Sequence, residues 1–156
     1  MKKLFLFTLI SALTFSLNSC SGDDDSAAAV NTQPGGTLTM KIDGNLKTYN
    51  TVIVNVDDQT DGETLLTVTA SQDGGSNETV RFNVYKGDVG SDVMFPISFV
   101  IGGAQHSLYD FNQNVTVNSN NHLKGTFSGN ITEWNNETQQ VETQHVITEG
   151  SYDVTY

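Results

Sequence analysis

From Thr37 onward apolar side chains recur at every second position, and that period decides what the chain can build. Leu38, Met40 and Ile42 alternate with Thr39 and Lys41. Val52, Val54 and Val56 alternate with Ile53 and Asn55, and Val80, Phe82 and Val84 with Arg81 and Asn83. The longest run, Leu123, Gly125, Phe127, Gly129 and Ile131, is interleaved with Lys124, Thr126, Ser128, Asn130 and Thr132. Successive side chains of a strand point to opposite faces, so these are strands with one buried and one wetted face. Turn chemistry separates the runs: Asp43-Gly44, Asp61-Gly62, Asp73-Gly74-Gly75, Lys86-Gly87-Asp88, Gly102-Gly103 and Asn118-Ser119-Asn120-Asn121. Such residues tolerate a left-handed backbone or hydrogen-bond their own turn. Beyond residue 36 no stretch of ten or more residues keeps a helical apolar period. The expectation is one all-β domain over residues 37–156, an antiparallel β-sandwich or a flattened β-barrel of short hairpin-connected strands.

The first 36 residues are of another kind. Lys2 and Lys3 precede an apolar run from Leu4 to Leu17, the layout of a secretory signal. That run is short of the roughly 20 residues a spanning helix needs. The chain's only cysteine, Cys20, follows directly in Leu17-Asn18-Ser19-Cys20, which resembles the cleavage box of bacterial lipoproteins. The resemblance implies a signal peptide over residues 1–19 and a lipidated Cys20 as the first residue of the mature chain. More than one acyl chain gives stable anchoring, at about 0.8 kcal/mol per buried methylene. The string Ser21-Gly22-Asp23-Asp24-Asp25 resembles the export signal of Bacteroidetes lipoproteins. It implies an outer-membrane protein, lipid-anchored and exposed at the cell surface. Asp25-Ser26-Ala27 resembles an O-glycosylation motif of the same bacteria, which makes Ser26 a candidate for modification. Behind the lipidated Cys20 that the resemblance implies, residues 20–36 are expected to form a flexible acidic tether, too polar to order itself. As a coil, residues 21–36 reach roughly 20–25 Å.

All 18 acidic residues follow Cys20, as do five of the seven basic ones, so the mature region carries a formal charge of −13. A surface of that sign repels nucleic acid and anionic headgroups. With Cys20 acylated no thiol remains, so neither a disulfide framework nor a cysteine metal site is available. The fold must rest on its core, and about 120 residues bury roughly two thirds of their unfolded surface.

Two segments of the last third, Leu123-Lys124-Gly125-Thr126-Phe127-Ser128-Gly129 and Val146-Ile147-Thr148-Glu149-Gly150-Ser151-Tyr152-Asp153-Val154, resemble the closing strands of a family of small uncharacterised Bacteroidetes lipoproteins. Met40-Lys41-Ile42-Asp43-Gly44 resembles the opening strand of that family. The family has no assigned activity, so the resemblance implies fold and location only. Gly125 and Gly129 read as close packing or curvature on an inward face.

Catalytic chemistry is sparse. His106, His122 and His145 lack chelating spacing, and the alternation of His145 with Thr143 and Ile147 makes it a solvent-facing or partly packed strand residue. No Gly-x-Ser-x-Gly elbow occurs, and no helix follows a glycine-rich loop to hold a phosphate. Glu133 and Glu137 are paired carboxylates that flank a turn. The expectation is a protein that is not an enzyme and needs no cofactor. Asp57-Asp58-Gln59-Thr60-Asp61-Gly62-Glu63 overlaps a calcium-loop pattern, with Asp57 and Asp61 as weak ligands, but Val68 stands where the bidentate glutamate belongs. Trp134 beside Asn135 and Asn136, and Tyr109 near Gln105 and Asp110, are candidate glycan contacts, an aromatic face with amide neighbours. The sequence thus reads as a membrane-anchored surface lipoprotein with a binding or structural β-domain. The alternative is a carbohydrate-binding accessory lipoprotein of a surface uptake system. Its partners are outer-membrane lipid through Cys20 and either a glycan or another surface protein, not nucleic acid.

Overall fold

The computed structural model describes residues 33–156 apart from 73–74, 76 and 109–110. Cys20, residues 21–25, Ser26 and Tyr109 lie outside the described residues. Among those described there are eleven strands and no helix: β1 (Gln33–Pro34), β2 (Gly36–Ile42), β3 (Asn45–Tyr49), β4 (Thr51–Asp58), β5 (Thr64–Ser71), β6 (Thr79–Tyr85), β7 (Met94–Ile101), β8 (Ala104–Leu108), β9 (Phe111–Ser119), β10 (His122–Asn135) and β11 (Gln140–Thr155). Strand pairing begins at Gln33, slightly ahead of the expected domain start.

All pairings within the two sheets are antiparallel. A six-stranded sheet runs β1-β4-β5-β6-β7-β8, a five-stranded sheet runs β3-β2-β11-β10-β9, and the two pack face to face without closing into a barrel. The domain is a β-sandwich. The chain changes sheet at Gly35 and Gly36, at Asn50, and between β8 and β9. Gly36 makes the first corner with φ of 104°, a backbone that L side chains rarely adopt. Two buried amides stitch β9 to the opposite sheet. Gln113 accepts from Met94 N at 3.1 Å and donates to Met94 O at 3.3 Å, and Asn118 Nδ2 donates to the carbonyls of Tyr85 and Asp88. One backbone bridge, Gly90 to Val115, adds to this seam. Side-chain amides thus do there what a strand ladder would do in a barrel.

The alternating sets face inward as expected. Leu38, Met40, Ile42, Val52, Val54, Val80, Phe82, Val84, Leu123, Phe127 and Ile131 are all buried in one core. At its centre Phe82 packs on Tyr152 with ring centroids 4.9 Å apart, Phe99 faces Phe127 at 6.4 Å, and Phe127 stacks on Tyr152 at 6.5 Å. Glycines make room for this column. Gly125 lies directly opposite Tyr152, and Gly150 directly opposite Phe127. A Cβ on Gly125 would overlap the Tyr152 hydroxyl and sit 2.6 Å from Asn114 O, and one on Gly150 would sit 2.7 Å from the Phe127 ring. The Tyr152 hydroxyl donates to Met94 Sδ at 3.3 Å, and burial holds its ionisation well above the ordinary phenol value.

Strand β11 is longer and less regular than the expected short strands. It carries an extra residue near Thr148 and Glu149, both exposed, against β2 on one side and β10 on the other. Glu149 takes φ of 52° there, and its carboxylate pairs with Lys41 at 2.6 Å. A second bulge leaves Gln144 unpaired between His145 and Thr143. Each bulge resets which side chains face the core.

Phe127→Ala should cost about 3–5 kcal/mol, the lost transfer energy plus the cavity left. Gly125→Ala should also destabilise measurably, because Tyr152 and the Asn114 backbone both crowd the new methyl. Thr126→Ala, on the wetted face, should stay within about 0.5 kcal/mol. Thermal unfolding of the three variants checks the order, and a larger loss at Thr126 than at Phe127 would invert the assigned faces.

Candidate ligand-binding surfaces

The β10–β11 hairpin outruns its neighbours. Pairing of β9 with β10 reaches Gly129, and pairing of β2 with β11 reaches Ile147. Beyond those points residues 130–135 and 140–145 form ladder pairs only with each other, as an arm, and Val146 at its root accepts the Asp43 N–H at 2.9 Å. Trp134 sits near its tip, 58% exposed, directly across from Val141 at 64%. Thr132 and its partner Thr143 lie one alternation further down the same face. The neighbouring amide is not free for a ligand. Asn135 Oδ1 accepts from the backbone N–H groups of Glu137 and Thr138, while its Nδ2 donates to Glu142. These bonds hold the tip turn closed. Glu133 and Glu137 do not face each other across a cleft. Glu133 meets His106, and Glu137 belongs to the turn.

The root of the arm gathers two histidines that look scattered in the sequence. The His106 and His145 rings meet edge to face with centroids 5.5 Å apart. His145 Nδ1 donates to Asp43 Oδ2 at 2.7 Å, since an ionised carboxylate can only accept, and Asp43 Oδ1 takes the Val146 N–H at 2.9 Å. His106, its side chain 9% exposed, places Nδ1 3.3 Å from Glu133 Oε1 at an angle that makes no hydrogen bond. His122 lies apart, paired with Asp153 at 2.7 Å. Among the described residues no group of three or more His, Cys, Asp or Glu side chains is arranged to hold a metal ion. The acidic β4–β5 loop bonds within itself. Asp57 Oδ2 accepts from Gln59 Nε2, Asp58 Oδ1 from Thr64 Oγ1, and Asp61 Oδ1 from the Glu63 N–H.

Sequence reasoning missed one surface. Pairing of β6 with β7 slips between Arg81 and Asn83, where β7 carries an extra residue. Phe95 and Pro96 therefore both face outward, Phe95 at 40% exposure. A proline without its N–H is tolerated at such a break in the ladder. Phe95 lies against Tyr85, ring centroids 5.3 Å apart and tilted by 40°. The visible signal was the proline inside an apolar run, Met94-Phe95-Pro96-Ile97, which marks a bulge.

Set against models of protein families, curated proteins and solved structures, the chain matches none.

Three carboxyls, exposed Asp43 and Asp153 and half-buried Glu142, are held below their ordinary values. The His145 bond and then the Val146 N–H do this for Asp43, His122 and then Lys124 for Asp153, and Asn135 and then Thr138 for Glu142. A carboxyl depressed on folding contributes in full above its unfolded value, and the contribution vanishes as pH falls through the folded value. The melting temperature should therefore drop as pH falls below the ordinary carboxylate range. The combined variant Asp43→Asn, Glu142→Gln, Asp153→Asn should flatten that acid limb. An unchanged limb would show that these bonds do not survive in solution.

Proposed function

We propose that the chain is a lipid-anchored lipoprotein of the outer membrane, exposed at the cell surface, whose β-sandwich works by binding and not by catalysis. The anchor reading rests on the leader, the single Cys20 and the acidic string behind it. The binding reading rests on one observation, the exposure of Trp134 and Val141 side by side on an arm that outruns its sheet. Large apolar side chains grouped in water on a braced hairpin are what contact sites require. The second reading, a carbohydrate-binding accessory protein, draws support from the same indole. A flat aromatic packs on a sugar ring, with Thr132 and Thr143 on its face as hydroxyl partners. Asn135 is occupied by the turn and does not serve.

Replacing Cys20 with Ser should abolish incorporation of labelled palmitate and leave uncleaved precursor or soluble protein. Equal labelling of wild type and variant would remove the lipoprotein reading. With the anchor intact, converting Asp23, Asp24 and Asp25 to Ala should withdraw the domain from added protease on whole cells. Equal protection of both forms would place the wild-type domain on the inner leaflet side instead.

A further inference from the structure

Arg81 is the only arginine in a chain of net charge −11. It stands on the outer face of the six-stranded sheet, exposed, between Thr69 of β5 and Ser98 of β7. The other basic side chains of the domain are engaged. Lys41 pairs with Glu149, Lys47 with Glu78 and Lys124 with Asp153, and Lys86 lies over the Tyr156 ring. Among the described residues Arg81 alone of these cations has no carboxylate within ion-pair distance and no ring beneath it. In a chain with 18 acidic side chains, this arginine is left able to take a carboxylate from outside the domain. Its planar guanidinium offers paired donors in the geometry a carboxylate accepts.

What surrounds Arg81 narrows the partner. A depression of about 250 Å³ is lined by Arg81, Asn83, Pro96, Ser98, Gln105 and Ser107, five of them polar. Asn83 Oδ1, at its floor, is buried and finds no hydrogen-bond partner in the protein. Along β6 the outward residues are Arg81, Asn83 and Tyr85, a span of roughly 13 Å at about 3.3 Å per residue. The far end carries the Tyr85–Phe95 pair that the Pro96 bulge turns outward. One cation with neutral hydroxyls and amides in a shallow trough, and an aromatic pair further along the same strand, match a short acidic sugar chain.

We propose that the outer face of the six-stranded sheet, at the β6–β7 bulge, binds a uronate-containing saccharide. Arg81 holds a carboxylate, Ser98 and Gln105 bond ring hydroxyls, and Tyr85 with Phe95 packs against a sugar face. This rests on the reading of the domain as a binding module and places the saccharide away from Trp134.

The test is calorimetric titration of the full-length protein in detergent micelles with trigalacturonate, its fully methyl-esterified form, and a polyglutamate of equal charge. Wild type is expected to bind trigalacturonate, and at least tenfold more tightly than the neutral ester or polyglutamate. Arg81→Gln should lose at least tenfold in affinity for trigalacturonate with its melting temperature unchanged, and Trp134→Ala should bind as wild type. No binding of trigalacturonate at millimolar concentration, or equal affinity in Arg81→Gln, overturns the proposal. Polyglutamate bound as tightly as the saccharide overturns it too, in favour of an acidic peptide. Loss in Trp134→Ala with Arg81→Gln unaffected also overturns it, moving the saccharide to the arm while leaving the domain a binding module.

Discussion

The sandwich depends on two glycines set opposite two aromatics. Gly125 faces Tyr152 and Gly150 faces Phe127 across the β10–β11 ladder, so each ring lies over a position with no side chain of its own. A glycine inside a strand ordinarily weakens it, because nothing is there to pack. Here the neighbour's ring fills the gap, and the two rings meet Phe82 and Phe99 of the other sheet. A side chain in place of either glycine would collide with the ring opposite it and with backbone of its own sheet. The position of both central rings is therefore fixed within one hairpin, and Phe82 of β6 and Phe99 of β7 pack on them.

Local alternation carried much of this architecture. Strands β2, β4, β6 and the first part of β10 bury the residues their period assigns, and Thr126 and Phe127 take opposite faces as expected. The reading failed where the period itself is broken. Thr148 with Glu149, Thr143 with Gln144, and Phe95 with Pro96 are adjacent residues that all face out, which no two-residue rule anticipates. It failed again where polarity misleads. Gln113 and Asn118 are buried because they bond backbone groups of another sheet. The choice of sandwich over barrel hangs on that seam, a long-range fact. The surfaces fared alike. Trp134 was visible as a lone aromatic, but the meeting of His106 with His145, the Tyr85–Phe95 platform and the isolation of Arg81 are products of register, which distant pairings fix.

The two candidate surfaces differ in physical character. The arm is acidic, carries no lysine or arginine between residues 130 and 147, and exposes an indole at a turn braced by Asn135. The sheet face is anchored by a cation and lies on central strands, where cross-strand neighbours on both sides limit its motion. A ligand on the arm meets a projecting element, and one on the sheet meets a fixed relief.

Strand β11 lies between β2 and β10, so Ile42 meets Ile147 and Leu38 meets Tyr152 across most of the domain sequence. The five-stranded layer therefore exists in two pieces, the β2–β3 hairpin and the β9–β10 pair, until the last strand slides between them. Pairings of such sequence separation form slowly, because the whole intervening loop must close first. The β4–β8 meander needs nothing from β11, but the edges of β2 and β10 stay bare until that last strand is in place, so one layer of the sandwich can close well before the other.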